Sequence, residues 1–535
     1  MNTVVCRRGF DSAARRVSAE RIASLHIWVR ECHELYLRKD SQELARRSTE
    51  LLQFARFLRG HELSMLTNHF AMIKLEDDQF WHALAGELAR NGLPDPTPED
   101  VALIADAYSK AHCFNLEVIE LITLHFSAIE SRLEPYPLSV MIMSLGNLVE
   151  YRDDNRFAPR PREGFRSAVR VEAEAFLALL EMAAAWVIRN DHALSPLTLT
   201  SLLQGFTKLR YSNRVLYRSL AVATRLLAPE MSFEQVCANL SSFSRMDKHD
   251  RRAISALLDR LCTLPEDEPV DLAFLPPLVH VIAKLDLRDS NVQRVILKRL
   301  PGCMNDLKTG ELIRVLSMLP NVIHKPTESF LVDMFGPSSR CQSELRCSHD
   351  QTVISVIVEA ANRMNYFDDH EFWELVMAVV SREVSRSTWH VEARVKCFVA
   401  VAKLDAERYP ETVPKFFQMM EPIITEEIPT WNPTTITGLA WGLLWRKVPL
   451  SSTLAAVFRY AMDNIDNYDQ SDIYRLIRLM ASLESPYPSE LPALVKSVND
   501  RLVQQGFYFT PYQCKLVESF CKKFDIHLRS KNPDG

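Results

Sequence analysis

One apolar pattern recurs along almost the whole chain and limits its possible folds more than any other feature. An apolar residue is followed by a second three positions later and by a third after three more, before a polar turn begins. The pattern is clearest at Leu203, Phe206 and Leu209. Residues at this spacing lie on one broad face of an α-helix, so each copy predicts an amphipathic helix.

The copies recur at nearly constant spacing. Leu209, Met246 and Leu285 end three successive copies, at steps of 37 and 39 residues. A second apolar-periodic segment follows, as in VLYRSLAVATRLL after Leu209. Helix pairs at a fixed period bury their apolar faces by stacking side by side. We therefore predict an all-α chain, an α-solenoid of about 11 antiparallel helix pairs with a period near 38 residues. The other copies end at Leu75, Ala111, Leu148, Leu319, Met364, Leu404, Trp445 and Leu483.

The composition agrees with helices and argues against common enzyme classes. Only 14 of the 535 residues are glycine, although parallel α/β enzymes need glycine in their phosphate-binding turns. The sequence contains no G-x-x-x-x-G-K-[ST], G-x-G-x-x-G, G-x-S-x-G or H-E-x-x-H motif. We therefore expect a protein that is not an enzyme and has no cofactor. No apolar run is long enough to predict a membrane-spanning helix.

The spacing and composition also suggest how the chain is divided. Residues 1–21 hold five arginines against two acidic residues, a composition typical of a mitochondrial targeting segment; an ordinary basic terminus is the alternative. N-terminal helical repeats are predicted at 22–150, a basic linker or insertion at 151–170, the helical-repeat solenoid at 171–528, and a disordered tail at 529–535. Residues 335–350 are polar and are predicted to form a flexible loop.

Two clusters resemble metal or catalytic sites, and for both a structural role is favoured. Cys341, Cys347 and His349 offer soft ligands, but their spacing matches no zinc motif and a fourth ligand is missing. The acidic run from Asp368 to Glu371 is typical of a helix N-terminus, where carboxylates suit the helix dipole. No metal site is therefore predicted. The 11 cysteines are scattered and include no C-x-x-C pair, which indicates reduced thiols.

Basic residues recur in and after the repeated helices. If the units stack in register, these side chains lie along one edge and can neutralise the phosphates of RNA. Aromatic residues nearby, such as Tyr211 and Trp445, could stack on bases. The alternative is ordinary solvent-facing charge, which the net charge of −5 and the pI of about 6.3 favour. The RNA-binding candidates are Arg160, Arg162, Arg210, Arg214, Arg251, Arg252 and Arg288.

The core of each unit resembles a known group of proteins. It reads Phe206-Thr207-Lys208-Leu209 in one unit, and comparable tetrads end at Met246, Leu285 and Leu404. These segments are similar to organellar helical-repeat proteins of the octotricopeptide, heptatricopeptide and FAST-kinase-like groups. With the Arg-rich leader, they also resemble helical subunits of the kinetoplastid mitochondrial RNA-editing substrate-binding complex. Many members of these groups end in a RAP domain, which we do not expect here because only a short segment, ending in SKNPDG, follows the last repeat in this sequence.

The resemblance implies a role in organellar RNA metabolism. We expect a non-catalytic subunit of an RNA-processing or RNA-editing complex in the mitochondrial matrix. Its partners would be other subunits of that complex and single-stranded or guide RNA, with no membrane and no small-molecule substrate. The alternative is a pure protein–protein scaffold without direct RNA contact, for example in mitochondrial ribosome assembly.

Overall fold

The computed structural model of the chain consists of helices joined by short turns. Helix accounts for 81% of it, and no strand occurs in the part that it describes, so the prediction of an all-α fold is confirmed. Within this part, no helix is long and apolar enough to cross a membrane. The described residues are 19–154, 165–246, 250–265, 271–287, 290–384, 389–446, 448, 450–483, 488–505 and 511–524.

The chain divides into two compact units, Met1–Phe274 and Leu275–Gly535. The helices of the first unit are α1 (Ala19–Leu37), α2 (Ser41–Arg46), α3 (Ser48–Phe54), α4 (Gly60–Met72), α5 (Asp78–Asn91), α6 (Pro98–Lys110), α7 (Leu116–Ile129), α8 (Pro135–Asp154), α9 (Phe165–Arg189), α10 (Pro196–Lys208), α11 (Arg214–Leu227), α12 (Phe233–Arg245) and α13 (Arg251–Thr263).

The helices of the second unit are α14 (Leu275–Lys284), α15 (Ser290–Cys303), α16 (Thr309–Val322), α17 (Glu328–Phe335), α18 (Arg340–Cys347), α19 (Gln351–Arg363), α20 (His370–Val384), α21 (Val391–Ala402), α22 (Thr412–Glu427), α23 (Pro433–Gly442), α24 (Ser451–Asp463), α25 (Gln470–Ser482), α26 (Leu491–Gln505) and α27 (Pro511–Lys523).

Alternate helices pack on one another in both units. In the first unit, α1, α4, α6, α8, α10 and α12 form row A, in which each helix contacts the next member. Row B of that unit consists of α3, α5, α7, α9, α11 and α13. In the second unit, row A is α14, α16, α19, α21, α23, α25 and α27, and row B is α15, α17, α18, α20, α22, α24 and α26. Helices of row A therefore alternate along the chain with helices of row B, except that α17 and α18 are consecutive members of row B and α2 belongs to neither row.

The residues that end the repeated sequence pattern all map to row A. In the first unit they lie within or at most three residues after α4, α6, α8, α10 and α12. In the second unit they lie within or shortly after α14, α16, α19, α21, α23 and α25. The i, i+3, i+6 triplets mark row A because its helices are buried on a broad face, as Leu203 and Phe206 of α10 illustrate.

Row A helices end in a recurring left-handed turn. Arg210 has a φ of 51°, and the next amide, Tyr211 N, donates to Phe206 O at 3.2 Å. This six-residue closure satisfies carbonyls at the helix end. Asn213 then caps α11, since its side chain accepts from Val215 N and Leu216 N. The same closure follows other row A helices at Lys74, His112, Asp286 and Asn365, whose φ angles range from 49° to 59°.

Row B helices end in a different recurring turn. After α11, a 3-10 turn spans Ala228–Glu230, and the following Met231 is fully buried. Ser232 is the N-cap of α12 and forms a capping box, in which Gln235 Oε1 accepts a hydrogen bond from Ser232 N at 3.0 Å. Buried residues occupy the equivalent position before α23 and α25, where Trp431 and Tyr468 follow their own 3-10 turns.

Helices α11 and α13 run in the same direction. Arg260 Nε, near the end of α13, donates at 2.9 Å to Met231 O, which lies just after α11 and just before α12. Asn239 Nδ2, at the centre of α12, donates to Thr200 Oγ1 of α10 at 2.8 Å, so the two row A helices before them also pack side by side. Consequently, the starts of α11 and α13 both lie at the edge of this part of the unit that is opposite Met231.

Residues 335–350 do not form the flexible loop that the sequence predicts. They contain α18, in which Cys341 and Gln342 are both 0% exposed. Gln342 Nε2 donates to Phe335 O at 3.2 Å, and Thr309 Oγ1 donates to Glu344 Oε1 at 2.9 Å. The prediction is wrong because the helix is anchored by polar contacts and has only a small apolar face.

Several predicted segments lie wholly or largely outside the described residues. Of the proposed targeting segment 1–21, only the last three residues are described, and they begin α1. Within the proposed basic insertion 151–170, residues 155–164 are outside, between α8 and α9. The proposed tail 529–535 is entirely outside.

Candidate nucleic-acid interface

The described candidate arginines lie at or just before the starts of two successive row B helices. Arg210 is the left-handed residue after α10, and Arg214 is the first residue of α11. Arg251 and Arg252 are the first two residues of α13. All four residues are exposed. Since the starts of α11 and α13 lie at the same edge, the structure brings these four candidates to one side of the first unit.

Arg214 and Arg251 occupy the same position in successive helix pairs. Each directly follows the N-cap residue, Asn213 for α11 and Asp250 for α13. Asp250 Oδ1 accepts from Arg252 N at 3.0 Å and from Ala253 N at 2.9 Å. A cation at a helix N-terminus opposes the helix dipole, at a cost of about 0.3–1 kcal/mol. These arginines therefore do not stabilise their own helices electrostatically, whereas an anionic ligand at this edge would meet both the side chains and the helix ends.

The other predicted RNA contacts do not add to this cluster. Arg160, Arg162 and Arg288 lie outside the described residues. Tyr211, proposed from sequence to stack on bases, is partly buried, and its ring centroid lies 5.8 Å from that of Phe206. Its hydroxyl accepts from Asn213 Nδ2 at 3.3 Å, so Tyr211 has a structural role within the turn.

A groove in the second unit carries a second concentration of aromatic and basic side chains. It lies on row A across α19, α21 and α23 and has a volume of about 520 Å³. A close approach between α21 and α23 forms its floor, because a Cβ on Gly442 would lie 2.3 Å from Cγ1 of Val399. Its lining includes Arg363, Glu392, Lys396 and Lys403.

Two tryptophans form one end of this groove. The ring centroids of Trp441 and Trp445 are 5.7 Å apart and the rings are nearly perpendicular, at 84°. The guanidinium carbon of Arg478 lies 4.6 Å from the centroid of Trp441 and 6.0 Å from that of Trp445. Lys403 Nζ lies 5.3 Å from the centroid of Trp445, whose exposed fraction is still 51%. Cations at these distances are attracted to the electron-rich faces of indoles.

The cations of the groove are not all neutralised. Lys396 pairs with Glu359 at 2.7 Å, whereas Lys403 pairs with no carboxylate among the described residues. Arg478, which does not line the groove but contacts its tryptophans, has no carboxylate partner there either. Partial burial lowers the pKa of Lys403 from its usual value, because desolvation disfavours the ammonium form. A negative charge placed beside Lys403 would therefore be favoured.

Sequence reasoning identified half of this tryptophan cluster. Trp445 is named above as a candidate for stacking, and Lys403 lies in the repeated tetrad that ends at Leu404, whereas Trp441 and Arg478 were missed. The spacing of Trp441 and Trp445 places two indoles on one helix face and was an available signal. The sequence contained no comparable signal for Arg478, because its contact with the tryptophans depends on the packing of α25 against α23.

Cys341, one of the three soft ligands considered from the sequence, is buried in α18. The thiol is buried, which raises its pKa to about 12, so it stays protonated and is a poor metal ligand. His349 Nδ1 instead lies 3.0 Å from Glu383 Oε1. No group of three or more metal-ligating side chains occurs in the part of the chain that the structure describes.

The acidic run near Asp369 is confirmed as a helix N-terminus. Asp369 Oδ1 accepts from Phe372 N at 2.9 Å, and its Oδ2 accepts from the Tyr366 hydroxyl at 2.5 Å. The carboxylate therefore caps α20 and orders the turn before it.

Comparison with known proteins adds no family assignment. No protein-family model matches the sequence, and a search of curated proteins gives no significant match. The residues described above are therefore the basis of the functional proposal.

Proposed function

We propose that the chain is an α-solenoid of about 11 helix pairs that repeat at intervals near 38 residues. The alternation of row A and row B and the recurring turns support this arrangement. So does the contact between residues one period apart, such as Thr200 with Asn239. Stacked pairs of this kind provide an extended surface on which equivalent positions recur.

On this scaffold the chain acts as a non-catalytic RNA-binding subunit of a mitochondrial RNA-processing or RNA-editing complex. The observation that carries this proposal is the equivalent placement of Arg214 and Arg251 at the starts of α11 and α13. Arg210 and Arg252 extend the same edge. Their role is to neutralise phosphates, which positions RNA without reading its sequence. A basic edge of this kind is compatible with a net charge of −5, because local potential depends on how charges are distributed.

The direct test is a titration of the purified full chain with fluorescein-labelled single-stranded RNA at several salt concentrations. We expect the logarithm of the binding constant to fall linearly with the logarithm of salt concentration. The slope should be about −0.7 for each phosphate neutralised. Absence of binding at low salt would contradict the RNA-binding proposal and leave the protein–protein scaffold in its place.

The mitochondrial location is tested separately. A fluorescent protein fused after residue 21 should enter the matrix, and the full chain without residues 1–21 should fail to enter it. Uptake that does not depend on these residues would contradict the targeting role that their composition predicts.

A further inference from the structure

The groove formed by α19, α21 and α23 combines an aromatic surface with cations that have no carboxylate partner. Trp445 is half-exposed, and Lys403 and Arg478 flank the two indoles within 6.0 Å of a ring centroid. A ligand that fits these features has a flat ring to pack on the indole and a negative charge to meet the cations.

A nucleotide has both features. The volume of about 520 Å³ lies within the usual range of pockets for small ligands, roughly 300–1,000 Å³. Bases of single-stranded nucleic acid stack on exposed aromatic side chains, and basic groups beside them hold the backbone. Two further cations, Arg363 and Lys396, line the groove, and the carboxylates of Glu359 and Glu392 line it as well.

We propose that this groove binds an unpaired base of single-stranded RNA, with the base on Trp445 and the adjoining phosphate beside Lys403. This proposal rests on the proposed function, since it names a contact made by the same RNA. The arginine edge, which consists of Arg210, Arg214, Arg251 and Arg252, contacts phosphates alone. The groove also holds a base, so the two sites differ in kind.

A partner peptide is the competing occupant, and the charges favour RNA. An apolar peptide would cover Lys403 and Arg478 without compensating their charge, and burial of an uncompensated cation is costly. A phosphate supplies that compensation and keeps the indole surface available to the base.

Gly438 offers a way to block the groove without removing any of its contacts. It lies on α23 and lines the groove, and no atom lies within 4 Å of a Cβ built on it. The substitution Gly438→Leu therefore fills space that is open in the free protein, and leucine favours helix over glycine. Gly310→Leu is the matched control, because Gly310 lies on α16 with equally open surroundings and does not line the groove.

The experiment compares the full chain, Gly438→Leu, Gly310→Leu and Trp445→Leu for binding to a single-stranded oligouridylate that carries 5-iodouridine. We expect Gly438→Leu and Trp445→Leu to bind about five- to hundred-fold more weakly, the range for loss of one stacked base. Gly310→Leu should bind like the unsubstituted chain. Photo-cross-linking followed by peptide mass spectrometry should identify Trp441 or Trp445, and Gly438→Leu should abolish that cross-link.

The outcomes separate this proposal from the one on which it rests. If the unsubstituted chain binds RNA and Gly438→Leu binds and cross-links equally well, the groove does not hold a base and the groove proposal alone fails. Such a result would leave a partner peptide as the remaining candidate occupant. If the unsubstituted chain binds no RNA at low salt, the proposed function fails and the groove proposal fails with it.

Discussion

Ser64 of α4 and Asp100 of α6, which are 36 positions apart, share a buried hydrogen bond of 2.7 Å between Ser64 Oγ and Asp100 Oδ1. Thr437 and Asp472 make the same contact between α23 and α25, at 2.8 Å and 35 positions apart. In both cases the hydroxyl lies five residues after the N-cap of its own helix. The aspartate lies three residues after the N-cap of the next helix in row A. The same polar link thus joins successive row A helices in each of the two units.

Replacement of Ser64 should test the strength of this link. Burial alone would raise the pKa of Asp100, but hydrogen bonds from Thr97 and Ser64 outweigh burial and lower it. Loss of the Ser64 hydroxyl removes one of these donors from a buried carboxylate. We expect Ser64→Ala to lower the free energy of unfolding by about 1–3 kcal/mol at pH 7, measured by urea denaturation. Ser255→Ala on the exposed face of α13 is the control and should change it by no more than about 0.5 kcal/mol.

The pair of His33 and His69 should make the stability of the first unit depend on pH. Burial, followed by the nearby His33, lowers the pKa of His69 to about 4, and the ring of Tyr36 stacks on it at 4.0 Å. In the unfolded chain the pKa returns to about 6.5. Between pH 6.5 and 4 the unfolded state therefore binds the additional proton, so stability falls as the pH is lowered through this window.

The difference between the two pKa values corresponds to a total decrease in the free energy of unfolding on the order of 3 kcal/mol. It is measured as the shift of the urea midpoint between pH 7.5 and pH 4.5. His69→Gln should flatten this dependence, whereas replacement of the exposed His192 should leave it unchanged. An unaltered pH profile in His69→Gln would show that other groups cause the acid sensitivity.

The sequence was sufficient to predict helices, and the reason lies in how row A is buried. Leu203 and Phe206 are both 0% exposed, and such residues produce a periodic apolar signal. Helix α18 gives no comparable signal because a buried glutamine, Gln342, supplies part of its packing through a hydrogen bond to Phe335 O. Polar residues in that segment resemble a loop unless the acceptor, which here lies seven positions away, is known.

The candidate sites show the same limit. Arg214 and Arg251 could be predicted from the sequence, because the position of each is determined by the turn that precedes its helix. The contact of Arg478 with Trp441 joins residues 37 positions apart, and it depends on the register between α23 and α25. Periodicity within one helix carries no information on that register, so this part of the groove required the structure.

Close packing between α8 and α10 depends on Gly146 and Gly205. A Cβ on Gly205 would lie 2.6 Å from Ile142 O, a backbone atom that moves only with its helix. We expect Gly205→Ala to lower the free energy of unfolding by about 1–3 kcal/mol, the usual cost of overpacking. Gly310→Ala should be neutral or stabilising by up to about 1 kcal/mol, since it meets no atom and improves helix propensity. Equal stability of the two variants would mean that α8 and α10 separate without cost.

Charge reversal at Arg251 and Arg252 provides the sharpest test of the arginine edge. We expect Arg251→Glu with Arg252→Glu to abolish RNA retention at moderate salt and to reduce the magnitude of the salt slope by about 1.4, the value for two phosphates on single-stranded RNA. The variant should not unfold, because acidic residues at the start of α13 suit the helix dipole and stabilise it by about 0.3–1 kcal/mol each. Loss of binding would therefore report lost phosphate contacts and not lost structure.

The matched control reverses two arginines elsewhere on the same unit. Arg30 and Arg38 are exposed and both contact Glu34 on α1, so Arg30→Glu with Arg38→Glu changes the net charge by the same amount. If RNA binding responds only to total charge, both double variants will weaken it equally and the edge has no special role. If phosphates bind at the starts of α11 and α13, only the Arg251 and Arg252 variant will lose affinity and slope, while the control will keep the slope of the unsubstituted chain.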